Sequence, residues 1–214
     1  MIVVGFLHVG KISKIAQIMV ASVKRVMPAA KIVQMTDYDT KPVTGVDEVI
    51  RKRYDGRFLM PYRMLHLQDF PVSQAIFLDT DVVVRKDLAP VFDEDFDIGL
   101  TVRLEPIMDP NGVDVTKAMP YNTGVMFSKQ AGKLFWAEAH QYCLSLPVEK
   151  REWWGDQMSV KAIADKTSLK VKTFPCDLYN YTPASENEDL SDKFVVHYKG
   201  ERKEWMLRLH HAGG

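Results

Sequence analysis

The sequence predicts an α/β protein with a mostly parallel central sheet flanked by helices, and three observations predict it. The chain opens in a strand-helix-strand order, a buried strand AIFLDTDVVV occupies residues 75–84, and strand-length apolar runs recur to residue 198. Residues 2–7 form the first such run. Ile12, Ile15, Ile18, Met19, Val23 and Val26 then recur at helical spacing until Pro28 stops them. Residues 31–35 read as the second strand, so the opening is a β-α-β unit that calls for parallel pairing with a covering helix. PYRMLHLQDF, residues 61–70, reads as a helix led by proline that delivers the chain to the acidic strand.

Beyond that strand, DIGLTV and TGVMFS read as further strands. The stretch between them, residues 103–121, carries three prolines and reads as a lid or binding loop. Ser128 stands where it would cap a helix running to about residue 146, and Asp156 begins another running to about residue 166. LKVKTF and FVVHY are late strands, and ENEDLSD is a solvated loop.

A chain of 214 residues suits one α/β domain, able to bury roughly 70% of its unfolded surface. Lys plus Arg (28) balances Asp plus Glu (28), which excludes the bulk basic field that gathers nucleic acid. Cys143 and Cys176 lack metal-type spacing and read as reduced thiols, consistent with a cytoplasmic location. The N-terminal run MIVVGFLHVG has no basic leader, and no stretch approaches the ~20 apolar residues of a membrane span.

Within AIFLDTDVVV, Asp79 and Asp81 sit two apart, a spacing that in a strand puts two like charges on one face. Two readings are open. The acids cap a turn or bond arginines such as Arg85, or they share a divalent cation at the strand's C-terminal end, where open α/β sheets bind ligands. The late string HYKGERKEW, residues 197–205, bears on the choice. His197 ends an apolar run and offers a third ligand; Gly200 allows close backbone approach and Lys203 a point charge for phosphate oxygens. Mixed carboxylate and imidazole ligands suit manganese better than calcium.

DTDVV also matches the D-x-D-x-[TV] pattern of haloacid-dehalogenase phosphatases, but GDQMSV lacks that pattern's second acid. The D-x-D after a buried strand, together with H-x-x-G-x-x-K-x-W, resembles instead the retaining GT-A-fold glycosyltransferases of the glycogenin and lipopolysaccharide galactosyltransferase type. Glu204 stands where that family has proline. Arg63, YNTGVMF and GDQ (155–157) resemble its intermediate landmarks.

The resemblance implies one GT-A, Rossmann-like domain over residues 1–214, which transfers a hexose from a nucleotide-diphosphate sugar, a UDP-sugar above all. Mn2+ or Mg2+ would be the cofactor and a carbohydrate, lipid-linked group or protein the acceptor. It implies Asp79, Asp81 and His197 as metal ligands, with Asp79 also on the ribose side. Gly200, Lys203 and Arg63 would bind the donor, with His8 of FLHVG on the nucleotide side. Arg63, Asn122, Asp156 and Gln157 would face the donor sugar and the reaction centre.

Bland roles stand beside several of these: a helix N-cap for Asp156, a surface ion pair for Arg63, a turn for Asn122. Trp153, Trp154, Tyr179 and Tyr181 read either as sugar platforms or as core. His210 and His211 carry no catalytic expectation. An inverting enzyme would need a carboxylate base, with Asp156 the first suspect. From another class, a noncatalytic nucleotide-sugar or carbohydrate-binding protein fits the same residues. The acceptor site is expected from residues 103–121 and 174–193.

Overall fold

The computed structural model describes residues 1–54, 58–70, 73–108, 112–152 and 154–210. The chain begins with strand β1 (Val3–Leu7) and helix α1 (Lys14–Val26), whose Ser13 cap accepts the Ala16 N–H at 3.4 Å. Lys24 and Arg25 sit in the last turn of α1, where cations suit the carbonyl end of a helix. β2 (Lys31–Thr36) and β3 (Glu48–Arg51) follow. The sequence reading does not contain β3, a four-residue edge strand that is charged at both ends and has no apolar run.

Helix α2 (Leu59–Gln68) starts two residues before Pro61, not on it. The proline is tolerated there because N–H groups of a first helical turn have no intrahelical acceptor.

Residues 75–84 are not one strand. β4 (Gln74–Leu78) ends before Asp79, and the chain resumes after Asp81 as β5 (Val82–Val84). Two neighbouring carboxylates cannot be held inside a sheet covered on both faces, so the break moves them into a turn at the C-terminal end of β4.

The chain continues through β6 (Ile98–Val102), β7 (Tyr121–Lys129), α3 (Lys133–Ser145), α4 (Val148–Arg151) and α5 (Gly155–Ala164). β8 (Val171–Pro175), α6 (Cys176–Tyr179), β9 (Val195–His197) and α7 (Lys203–Leu209) complete it. Ser128 does not cap α3. A single 3-10 turn at Gln130–Gly132 intervenes, and the Ser128 hydroxyl instead accepts the Trp136 indole N–H at 2.9 Å.

Seven strands form the main sheet in the order β3-β2-β1-β4-β7-β6-β8, parallel except where β7 pairs with β4 and β6. Successive residues feed opposite faces, as a strand's period of two requires: Val4, Ile76 and Phe127 pack under α1, while Val3, Phe77 and Met126 pack with Phe135 and Trp136 of α3. β5 and β9 pair antiparallel in a second, two-stranded sheet. No helix among the described residues is long and apolar enough to cross a membrane. Cys143 and Cys176 are both free.

Candidate active site

The two-stranded sheet explains how residues far apart in sequence meet. Its register sets His197 opposite Val82, one residue after Asp81, and the Tyr198 N–H donates to the Asp81 carbonyl at 2.8 Å. Asp79, Asp81 and His197 then offer three ligand atoms within 4.8 Å of one another. His197 is buried, whereas the Asp79 side chain is one-third exposed (33%), so the cluster is closed behind and open in front.

The surrounding hydrogen bonds determine how the imidazole is presented. Asn180 Nδ2 donates to the Asn122 carbonyl at 3.0 Å; a carbonyl only accepts, so the amide oxygen of Asn180 must be what faces His197 Nδ1, at 2.8 Å. Nδ1 therefore carries hydrogen, and Nε2 is directed to Asp81 Oδ1 at 3.0 Å. A lone pair facing a carboxylate needs a proton or a metal ion between them. The site's chemistry thus fits a metal, with Asn180 as the outer partner that orients the histidine.

Asn180 is absent from the sequence reading; nothing in YNY distinguishes it from a loop asparagine. Burial opposes ionisation of Asp81, but hydrogen bonding and charge from His197, then from Lys203, outweigh it and hold the carboxyl below its usual range. Lys203 Nζ lies 3.1 Å from Asp81 Oδ2. Gly200 takes φ +58°, and a Cβ built there would meet nothing within 4 Å, so its backbone faces open space.

Arg63 joins the other carboxylates. Its guanidinium lies 3.0 Å from Asp79 Oδ1 and 3.2 Å from Asp156 Oδ2, and donates to the Thr123 carbonyl at 2.7 Å. This is neither a surface pair nor the Arg85 contact considered for the acids. Asp156 is 1% exposed, and it also accepts from the Thr123 hydroxyl and the Gln157 N–H, each at 2.7 Å. Burial, against the pull of Arg63, pushes its carboxyl up. Trp154 occupies the cap position of α5, which makes Asp156 a first-turn residue and not its N-cap.

A bulge brings Asn122 and Thr123 into this network. Four residues of β7, 122–125, face the single residue Thr101 of β6, whose hydroxyl reaches the carbonyls of Asn122 at 2.7 Å and Val125 at 3.0 Å. Asn122 Oδ1 accepts the Gly124 N–H at 3.1 Å.

Gly124 lies directly under the imidazole: a Cβ there would stand 2.5 Å from His197 Nδ1. We expect Gly124→Ala to push the ring off Asn180, lowering metal affinity about 10- to 100-fold and stability by about 1–3 kcal/mol. Manganese titration followed by electron paramagnetic resonance checks this; an unchanged Kd refutes it.

Gln157 Oε1 accepts from Arg103 Nη2 at 2.6 Å. His8 does not join the cluster through its hydrogen bonds: its ring bonds the Lys11 carbonyl, its N–H donates to the Met35 carbonyl and its own carbonyl accepts from the Thr36 hydroxyl. Beside Asn122 and Asn180 a cavity of about 870 Å3 opens, lined also by Arg103, Lys199, Arg202 and Tyr181. Burial, with Arg103 nearby, holds the Lys199 amine below its ordinary value. Tyr179 is partly buried and packs against the core, stacked 4.8 Å from Phe194. His210 contacts the Tyr198 hydroxyl at 3.2 Å. Trp153 and His211 lie outside the described residues.

No protein-family model matches the sequence, and no curated protein matches it. Solved structures do match in shape. A glycosyltransferase involved in the glycosylation of the major capsid of PBCV-1 superposes with a TM-score of 0.67 at 14% identity, over 97% of this chain and 98% of that one. The glycosyltransferase GlyE of Streptococcus pneumoniae TIGR4 gives 0.61 at 17% identity, over 95% of this chain and 55% of its own. The bifunctional glycosyltransferase WbbM gives 0.59 at 14% identity, over 92% of this chain and 45% of its own. The chain thus has a fold found in glycosyltransferases, and it spans about half the length of GlyE and WbbM.

Proposed function

We propose that residues 1–214 form one GT-A-type catalytic domain that transfers a hexose from a UDP-sugar to an acceptor hydroxyl with retention. The observation that carries this reading is the convergence of Asp79 and Asp81 with His197 and Lys203 at the end of β4, on a fold that glycosyltransferases share. In this reading Asp79, Asp81 and His197 hold Mn2+ or Mg2+. The bound ion would neutralise charge on the departing diphosphate.

The chain's own groups supply the rest. Lys203 brings a second positive charge to the phosphate oxygens, and the open backbone at Gly200 lets them approach. Arg63 braces Asp79 and Asp156, making Asp156 a positioning residue, while Gln157 fixes Arg103 and Asn122 borders the sugar pocket. His8 is assigned to the nucleotide side. The bond from C1 to the diphosphate oxygen breaks, the acceptor oxygen bonds C1, and the acceptor proton passes to the released nucleoside diphosphate. Being buried with its oxygens already occupied, Asp156 is poorly placed to serve as an inverting base, which favours retention.

Incubating the protein with UDP-glucose and UDP-galactose in manganese, with and without EDTA, tests the reading. We expect UDP release to fall at least about 100-fold on chelation, and NMR of the transferred sugar to give the donor's anomeric configuration. Release that ignores EDTA would refute the metal assignment. Tight donor binding with no release would mark a noncatalytic binder.

A further inference from the structure

We infer that the acceptor is anionic, with its carboxylate or phosphate held by Arg103, Lys199 and Arg202 in the cavity beside Asn122 and Asn180. The inference rests on the glycosyl-transfer reading above and specifies its second substrate.

The cavity's volume, about 870 Å3, lies within the usual range for a small-molecule site. It shares Asn180 with His197 and Asn122 with the bulge of β7, so it adjoins the proposed reaction centre. Three cations line it, and among the described residues none of them is in an ion pair. Arg103 donates only to neutral oxygens: the carbonyls of Met119 and Tyr121, and Gln157 Oε1 at 2.6 Å. Arg202 donates to the Pro183 carbonyl at 2.6 Å, and its guanidinium stands 5.6 Å from the centre of the Trp205 ring. Lys199 Nζ has no hydrogen-bond acceptor among the described residues.

Two acids also border the cavity. Asp177 is drawn to Lys193 at 3.4 Å, and Glu105 is exposed at the mouth. Three half-buried cations thus face the cavity without a direct carboxylate partner, outnumbering the two acids of its lining, an arrangement that an oxyanion satisfies and a neutral sugar does not. The donor diphosphate does not explain them, because Gly200 and Lys203, assigned to it above, are not among the residues lining this cavity.

The test is calorimetric titration of the protein saturated with UDP and Mg2+. The probes are glucose, glucuronate and glucose 6-phosphate, so the two anions separate a carboxylate from a phosphate preference. We expect at least one anion to bind about tenfold more tightly than glucose, and Lys199→Gln to remove most of that preference while leaving UDP affinity unchanged. The Lys199 amine has no hydrogen-bond acceptor among the described residues, so its replacement spares the fold; Arg202→Gln provides an independent second variant.

Equal binding of glucose and both anions, no binding by any probe, or a loss of UDP affinity in both variants would each overturn the inference. If wild-type protein binds no UDP, the nucleotide-sugar reading itself fails. Titration of the same anions without UDP then decides the anion site on its own.

Discussion

Asp81→Asn is expected to lower metal-stimulated release of UDP about 1,000-fold, the largest effect on activity of any single substitution considered. Asp81 touches both His197 Nε2 and Lys203 Nζ, at 3.0 and 3.1 Å, so losing its charge removes a candidate ligand and leaves the Lys203 ammonium without its carboxylate partner. The same variant carries a signature in acid. Because folding lowers the Asp81 pKa from an ordinary value of 3.8, the ionised carboxylate stabilises the native state above that pH. The contribution is lost as pH falls below it toward the folded-state value. Metal-free wild-type protein should therefore lose more stability between about pH 5 and pH 3 than Asp81→Asn does, as thermal melts across that range would record. Parallel curves would remove Asp81 from this pairing, and undiminished turnover would remove it from the metal site.

Arg63→Met is expected to have the largest effect on stability, about 3 kcal/mol in urea unfolding. The arginine is 5% exposed and its partner Asp156 is 1% exposed, so truncation strands a carboxyl with no access to water. The Thr123 hydroxyl and the Gln157 N–H would remain as its donors, without a compensating charge. Adding Asp156→Asn should restore at least about 1 kcal/mol, because the two sites share one contact and their effects do not add. A single-variant loss under about 1 kcal/mol, or a double variant no better than the single, would show that the pair is not what braces α2 against α5.

Much of this architecture was legible in the residues themselves. The helical spacing of Ile15, Ile18, Met19 and Val23 and the apolar runs at β1, β2 and β4 reflect burial of one stripe or two faces, which leaves a periodic mark on sequence. The charged edge strand β3 leaves no such mark. Nor does the break after Leu78, because its valines on the far side have the same composition as a continuation; only the pairing of β5 with β9 separates them.

At the site, the short motifs named Asp79, Asp81, His197, Gly200 and Lys203 because those residues are adjacent in sequence patterns. Asn180 and Thr123 act through hydrogen bonds set by tertiary contact, and a one-sequence pattern has no way to carry that. Lys199 was in view inside HYKG, yet its character comes from lining the same cavity as Arg103, a loop residue from the other side of the chain. His8 enters through the family resemblance alone, and its ring bonds the Lys11 carbonyl.

The pairing of β5 with β9 also has a meaning for the protein's biosynthesis. Asp81 and His197 are separated by 116 positions, so the carboxylates leave the ribosome on the order of ten seconds before the imidazole at ordinary elongation rates. Through that interval Val82, Val83 and Val84 have no partner strand and Asp79 and Asp81 lack the histidine that faces them. A nascent chain can assemble most of its main sheet while the cluster at Asp79 and Asp81 is still incomplete, and that cluster closes only when residues 195–197 pair with β5.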